Sequence, residues 1–223
     1  TVPSQTAVGY NALVASTSGE NNTAIGTHVL SANTTGDKNT SVGYGSLGAN
    51  TSADASTAVG WNALAANVTG HSNTAVGSYA LDSCTTSYEN VAVGMKALQG
   101  LVAGSSANTA IGFEALKAGN THSNVAIGHK ALLDTTSGHS NTAVGTGAMI
   151  VNSAGANNVA MGLAALDANT TANDNTAIGT EALGANTTGA DGVAVGFEAL
   201  SSNTTGANNV AVGYRALKHN TTA

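Results

Sequence analysis

The chain has 223 residues, with 12 acidic and 6 basic side chains and a formal net charge of -6. Only 8% of residues are charged and 4% aromatic, against 42% apolar and 28 Gly. Six scattered Lys and Arg exclude the basic stripe that nucleic-acid binding needs, and no run of 18 apolar residues exists to span a membrane. There is no charged start followed by an apolar stretch of the kind that opens a secretory leader. The single Cys84 leaves no internal disulfide, and the predominance of Ala and Val among the apolar residues points to a core of small side chains.

Self-similarity organises everything else. The triplet Ala-Val/Ile-Gly recurs, with its glycine at 9, 26, 43, 60, 77, 94, 112, 128, 145, 162, 179, 196 and 213. Every spacing is 17 except an 18 followed at once by a 16 around Gly112, so register is restored after one irregular turn. Two before the glycine stands Ala, with Ser41 the exception. One before it stands Val or Ile, with Met161 the exception, and four after it stands Leu, with Met149 the exception. The consensus is N-T-A-V-G-x-x-A-L-x-x-N-T-T-G-x-x.

Taken along the chain, each unit opens with a short strand, Thr-Ala-Val-Gly, whose side chains alternate between two faces. Thr and Val share one face; Asn, Ala and Gly share the other. Substitution of Thr by Val at Val91, Val125, Val159, Val193 and Val210 fits an inward or half-buried site. After a bend, Ala-Leu starts a second short strand. Asn-Thr-Thr-Gly closes the unit as a turn, its Gly supplying a positive φ. Stacked about 4.8 Å apart, thirteen such units span roughly 60 Å, bury collectively what no single unit can, and allow asparagine ladders. The predicted fold is all-β: a parallel β-solenoid of about 13 turns of 17 residues, one repeat domain over 1–223 and a fragment of a longer fibre. Val8, Ile25, Val42, Val59, Val76 and Val93, with Leu13, Leu30, Leu47 and Leu64, are the predicted core. The small Ala and Gly columns imply close approach, of the opposite wall or of another subunit.

The tandem units, such as Asn73 to Gly77, Asn108 to Gly112 and Asn175 to Gly179, resemble the head repeats of YadA-like trimeric autotransporter adhesins. With Ala-Leu and Asn-Thr-Thr-Gly included, they resemble bacteriophage tail-fibre repeats still more. Those head repeats are typically 14 residues long, whereas this unit has 17. The resemblance implies a left-handed β-roll, a homotrimer, and adjoining fibre domains at both ends. It also implies attachment to a host-surface glycan or protein, on a virion tail fibre or a bacterial cell surface. No cofactor is implied.

The column after the glycine gathers Tyr10, Tyr44, Trp61, Phe113, Phe197 and Tyr214, read either as a sugar-stacking surface or as packing against a neighbouring subunit. The next column mixes signs, with Lys96, Glu114 and Lys130, then Glu181, Glu198 and Arg215, a solvated ladder. Glu20, Asp37 and Asp54 fall in one loop column, where a cation or simple hydration would relieve their repulsion. The six histidines show no ligand spacing, and no metal site is assigned. Asn33, Asn50, Asn67, Asn169, Asn186, Asn203 and Asn220 match the glycosylation pattern, but turn geometry accounts for their recurrence. Cys84 reads as a neutral replacement of a loop Asn, and the apolar stretch Leu98–Ala103 as a docking patch. No nucleophile elbow, phosphate loop or metal motif occurs, so a non-enzymatic role is expected. An ice-binding solenoid is the rival from another class, carried by Thr6, Thr23, Thr40, Thr57 and Thr74. Those positions are buried in the β-roll reading, which discriminates the two.

Overall fold

The computed structural model describes residues 4–119 and 121–222. Thr1–Pro3 and Ala223 of the expected domain, and Asn120 of the irregular stretch 98–122, lie outside them. The chain is all-β and folds as a parallel β-solenoid with roughly 17 residues per turn. Two compact units divide after Asn108. The first carries β1 (Thr6–Val8), β2 (Thr23–Ile25), β3 (Thr40–Val42), β4 (Thr57–Val59), β5 (Thr74–Val76), β6 (Val91–Val93) and β7 (Gly100–Leu101). The second carries β8 (Thr109–Ile111), β9 (Ala118–Gly119), β10 (Val125–Ile127), β11 (Thr142–Val144), β12 (Val159–Met161), β13 (Thr176–Ile178), β14 (Val193–Val195) and β15 (Val210–Val212).

In the first unit β1 to β6 pair in sequence order, parallel and in register: Thr57 opposes Thr74, Ala58 opposes Ala75, Val59 opposes Val76. In the second, β8 pairs with β10, and β10 to β15 follow in order with the same register. Like therefore lies on like.

The strand alternation is as read from the sequence, but its sides are reversed. The strand alanines Ala24, Ala58, Ala75 and Ala92, with Ala110 to Ala211 in the second unit, are buried, as are Asn22, Asn39, Asn73 and Asn90. Val8 is 57% exposed, Ile25 41%, Val59 36% and Val76 37%, and Val42 and Val93 are half-buried. These six residues do not line the core. The core is filled from the other wall by Leu13, Leu30, Leu47 and Leu64, and onward by Leu81, Leu98, Leu116, Leu132, Met149, Leu166, Leu183 and Leu200. Each turn has room for one large side chain, so whatever faces it must be small. A side-chain carbon added to Gly192, which stands in the Asn column, would lie 3.4 Å from a Leu183 methyl. Ser41 Oγ donates to Ser46 Oγ at 2.7 Å across the coil. These two serines replace alanines in both walls of one turn, so the Ala columns face each other inside a single chain.

The Ala-Leu segment forms no second strand. Every residue of the Leu column is left-handed, from Leu30 (φ 47) and Leu64 (φ 52) to Met149 (φ 51). Its amides still bond the next turn, as Leu47 N to Ala63 O at 3.0 Å and Leu64 N to Ala80 O at 2.9 Å. Two more positions per turn are left-handed: the second residue after the signature glycine (Asn62, Lys130, Glu198) and a loop residue (Lys38, Ser72, Asp191). That loop residue, and not the loop glycine, takes the positive φ. Gly70 is kept small by approach: an added carbon would meet the Ser87 carbonyl oxygen at 2.1 Å.

Asparagine builds two internal ladders. In the strand-side column, Asn39 N donates to Asn22 Oδ1 at 2.9 Å, and Asn39 Nδ2 donates to Ala53 O at 2.7 Å. In the loop column, Asn50 Nδ2 donates to Asn33 Oδ1 at 2.7 Å and to Ala53 O at 3.2 Å, and Ala53 N donates to Asn50 Oδ1 at 3.2 Å. Cys84 is therefore not neutral. It is buried, burial pushes its thiol pKa up, and it offers no amide to Asn67 Oδ1, which is left without a partner. Leu101 and Thr135 continue the interruption as buried side chains, and amides resume at Asn152.

A graded response follows. Asn50→Ala strands the buried Asn33 Oδ1 and Ala53 N and is expected to cost ~2–3 kcal/mol. Asn67→Ala removes a donor to Gly70 O from a residue whose oxygen is already orphaned, so it is expected to cost less than half as much. Thermal melts of the two variants measure this; equal losses would refute a stabilising amide link between Asn33 and Asn50 that Asn67 lacks.

Candidate functional site

Three columns of each turn point outward from the strand wall: the strand's Thr/Val position, its Val/Ile/Met position, and the residue after the glycine. None of the three holds an Asp, Glu, Lys or Arg in any of the thirteen copies. In the first unit the exposed members include Val8, Tyr10, Ile25, Tyr44, Val59, Trp61, Val76 and Met95. In the second they include Ile111, Ile127, Met161, Leu163, Ile178, Phe197, Val212 and Tyr214. The strand threonines stand on this side too, Thr6 and Thr40 exposed and Thr23, Thr57 and Thr74 half-buried. The expectation that a β-roll buries them fails for the same reason as the valine assignment: from this wall the narrow interior admits only Asn and small residues such as Ala and Ser.

The structure joins Tyr10, Tyr44 and Trp61 through a residue the sequence reading left out. Tyr10 meets His28 edge-on at 5.5 Å, His28 meets Tyr44 at 6.0 Å, and Tyr44 meets Trp61 at 5.7 Å between ring centroids. His28 lies one column further on, and its place between two tyrosine turns was the available signal. In the second unit Phe113 stacks on His129 at 5.4 Å and 13°, and Phe197 on Tyr214 at 5.4 Å and 10°. Arg215 lies 5.1 Å from the Tyr214 centroid. Stacking covers one face of each of these rings, while Phe197 stays 40% and Tyr214 70% exposed.

Other polar columns are engaged within the chain. Asp37 Oδ1 accepts from Glu20 N, and Asp54 Oδ1 from Asp37 N, each at 2.7 Å. These carboxylates tie adjacent turns together and are not splayed. Asn33, Asn50, Asn67, Asn169, Asn186 and Asn203 are buried, so their sequons are closed to glycosylation in the folded chain. The stretch Leu98–Ala103 is not a docking patch: Leu98 and Leu101 are buried and only Val102 among its large apolar residues is exposed.

One concavity lies in the second unit. It is an open groove of about 370 Å³ lined by Asp167, Glu181, Glu198, Ser201 and Lys218 over Ala164, Ala168, Gly184 and Ala185. Lys218 Nζ and Arg215 Nε hold Glu198 Oε2 at 2.5 and 2.6 Å, and the Lys218 hydrogen bond draws the Glu198 pKa down. Burial pushes the Asp167 pKa up, its own amide and that of Ala168 counter this, and the nearby Glu181 charge adds to the rise. No helix is long and apolar enough to cross a membrane among the described residues. Neither a family model, nor a curated protein, nor a solved structure matches the chain.

Proposed function

We propose that the chain is a segment of a homotrimeric attachment fibre, a tail fibre in the first place and a bacterial surface adhesin head in the second. The observation that carries this is the outward strand face. A ladder of half-exposed Val, Ile and Met, flanked by exposed rings and free of charged residues, is a surface built to be covered. The occupant that repeats at the same interval along its length is another copy of the chain. β-branched side chains held in register present such a copy with a rigid surface. The likeness of the tandem units to adhesin-head and tail-fibre repeats supports the same reading. The work of the protein is then mechanical and multivalent: a stiff shaft, joined to further fibre domains, presents many weak contacts to a host-surface glycan or protein. It needs no enzyme chemistry.

Light scattering across a concentration series tests the assembly. A mass of three chains is expected, falling to one chain in the double variant Val59→Lys, Val76→Lys, whose substitutions sit outside the core and leave the fold intact. A wild-type monomer overturns the proposal. One observation favours a second reading, an ice-binding solenoid: the Thr ladder faces outward beside the Val ladder, where it would order water on a flat lattice. A monomer with thermal hysteresis would select it.

A further inference from the structure

The groove of the second unit is made by departures from the repeat. Its walls are two columns, the left-handed position after the strand glycine and the residue that follows Leu. Where both carry long side chains the space closes, as in the same unit where Lys117 Nζ reaches Glu114 Oε1 at 2.9 Å. From Ala164 to Ser201 the columns instead alternate long with short: Ala164 with Asp167, Glu181 with Gly184, Glu198 with Ser201. Small side chains at Ala164, Ala168, Gly184 and Ala185 leave a shallow apolar floor across adjacent turns. Asp167 stands over it. Glu198 is pinned at the far end by Lys218 and Arg215. The Glu181 backbone bonds Leu163 and Gly184, but its carboxylate makes no hydrogen bond or ion pair among the described residues and is free to accept.

We infer that this groove binds a saccharide, one pyranose ring lying on the Ala/Gly floor with its hydroxyls donating to the Asp167 and Glu181 carboxylates. The inference rests on the attachment reading and gives it a location and a ligand class. A volume of about 370 Å³ falls within the ~300–1,000 Å³ of small-ligand sites, as does the mix of apolar floor and few polar groups. The apolar carbons of a pyranose suit the floor. Its hydroxyls supply donors that two acceptor-only carboxylates lack. Arg215 and Lys218 at the same wall disfavour a bare cation, and the Lys218 ammonium and Ser201 hydroxyl add donors for ring and substituent oxygens. The groove sits on the corner after the strand and borders the strand face at its Glu198 end, where Arg215 lies over Phe197 and Tyr214; an assembled fibre would carry three copies. A single such site is weak, and three on one shaft raise the apparent affinity.

The test is saturation-transfer NMR and calorimetry on the full chain with methyl pyranosides of glucose, galactose, mannose and N-acetylglucosamine. Gly184→Gln fills the groove. Gly184 is not in the left-handed region, and an added carbon would lie 3.3 Å from the Glu181 carbonyl oxygen, a contact that a shift of a few tenths of an ångström relieves, so the fold is expected to survive with at most a slightly lowered melt. Binding of at least one pyranoside by the wild type is expected, weakened at least tenfold by Gly184→Gln and also weakened by Asp167→Asn. Binding that survives Gly184→Gln overturns the groove as the site and leaves the attachment reading standing on another surface. No binding of any pyranoside overturns the saccharide inference. In that case, retained three-chain mass and adhesion of the fibre to intact cells would show that the failure is the groove's alone.

Discussion

Gly77→Ala is expected to destabilise the solenoid by ~3–5 kcal/mol, combining a backbone conformation almost reserved for glycine with overpacking of a closed site. Gly77 sits at φ 136, and an added methyl would lie 2.6 Å from both the carbonyl carbon and the oxygen of Gly94. Neither obstacle can yield alone. Rotating φ back would swing the strand end away from its neighbours, and shifting Gly94 would displace the next signature glycine in turn. The column has no flexible partner to give way, because backbone meets backbone. Calorimetric melting of the variant against wild type measures this. A loss under 1 kcal/mol would mean that the turn relaxes locally and that the column is glycine for another reason.

The second large effect is expected at the left-handed leucines, and its signature is an inverted order. Leu64 is fully buried and is the one large side chain its turn places in the core. Truncation to Ala should cost ~2–5 kcal/mol in lost burial and cavity. In a helix or strand Gly would be worse than Ala by a further ~0.5–1 kcal/mol. At φ 52 an alanine keeps the left-handed strain, about 1–2 kcal/mol, that glycine does not carry. Leu64→Gly should therefore be no less stable than Leu64→Ala. Parallel melts of the two variants decide it, and a clearly less stable Gly variant would argue against a left-handed leucine.

Period, parallel stacking and the two-faced strand were all legible in the residues, because they depend only on recurrence at a fixed interval and on side-chain alternation. The side assignment was not, since apolarity alone does not fix which strand face turns inward. Val76 is the more apolar neighbour of Ala75, yet Ala75 is the buried one. Interior space, filled by leucine from the facing wall, set the outcome. One clue was available: Ser41 and Ser46 replace alanine in two separate columns of the same copy, as residues in contact do. The left-handed leucines left no comparable trace. Glycine appears in the adjacent left-handed column at Gly45 and Gly147, but no leucine position is ever glycine. Five of the six aromatics of the column after the glycine are exposed, and Phe113 is half-buried. His28 escaped notice because it belongs to a neighbouring column, and the groove because it arises from side chains that are missing.

Almost every backbone hydrogen bond between turns links residues 15 to 18 apart, as Thr57 N to Asn73 O, Gly60 N to Val42 O and Leu64 N to Ala80 O show in succession across a single turn. In a chain of 223 residues those are local contacts, shorter loops to close than the distant pairings that make most β proteins slow to fold. A finished turn offers the next one a complete template of donors, acceptors and side-chain shapes. Folding can therefore advance turn by turn while synthesis is still under way, one newly emerged segment settling on the last. An all-β chain of this kind should gain structure at rates more typical of helical proteins, with the initiating pair of turns as its slow step.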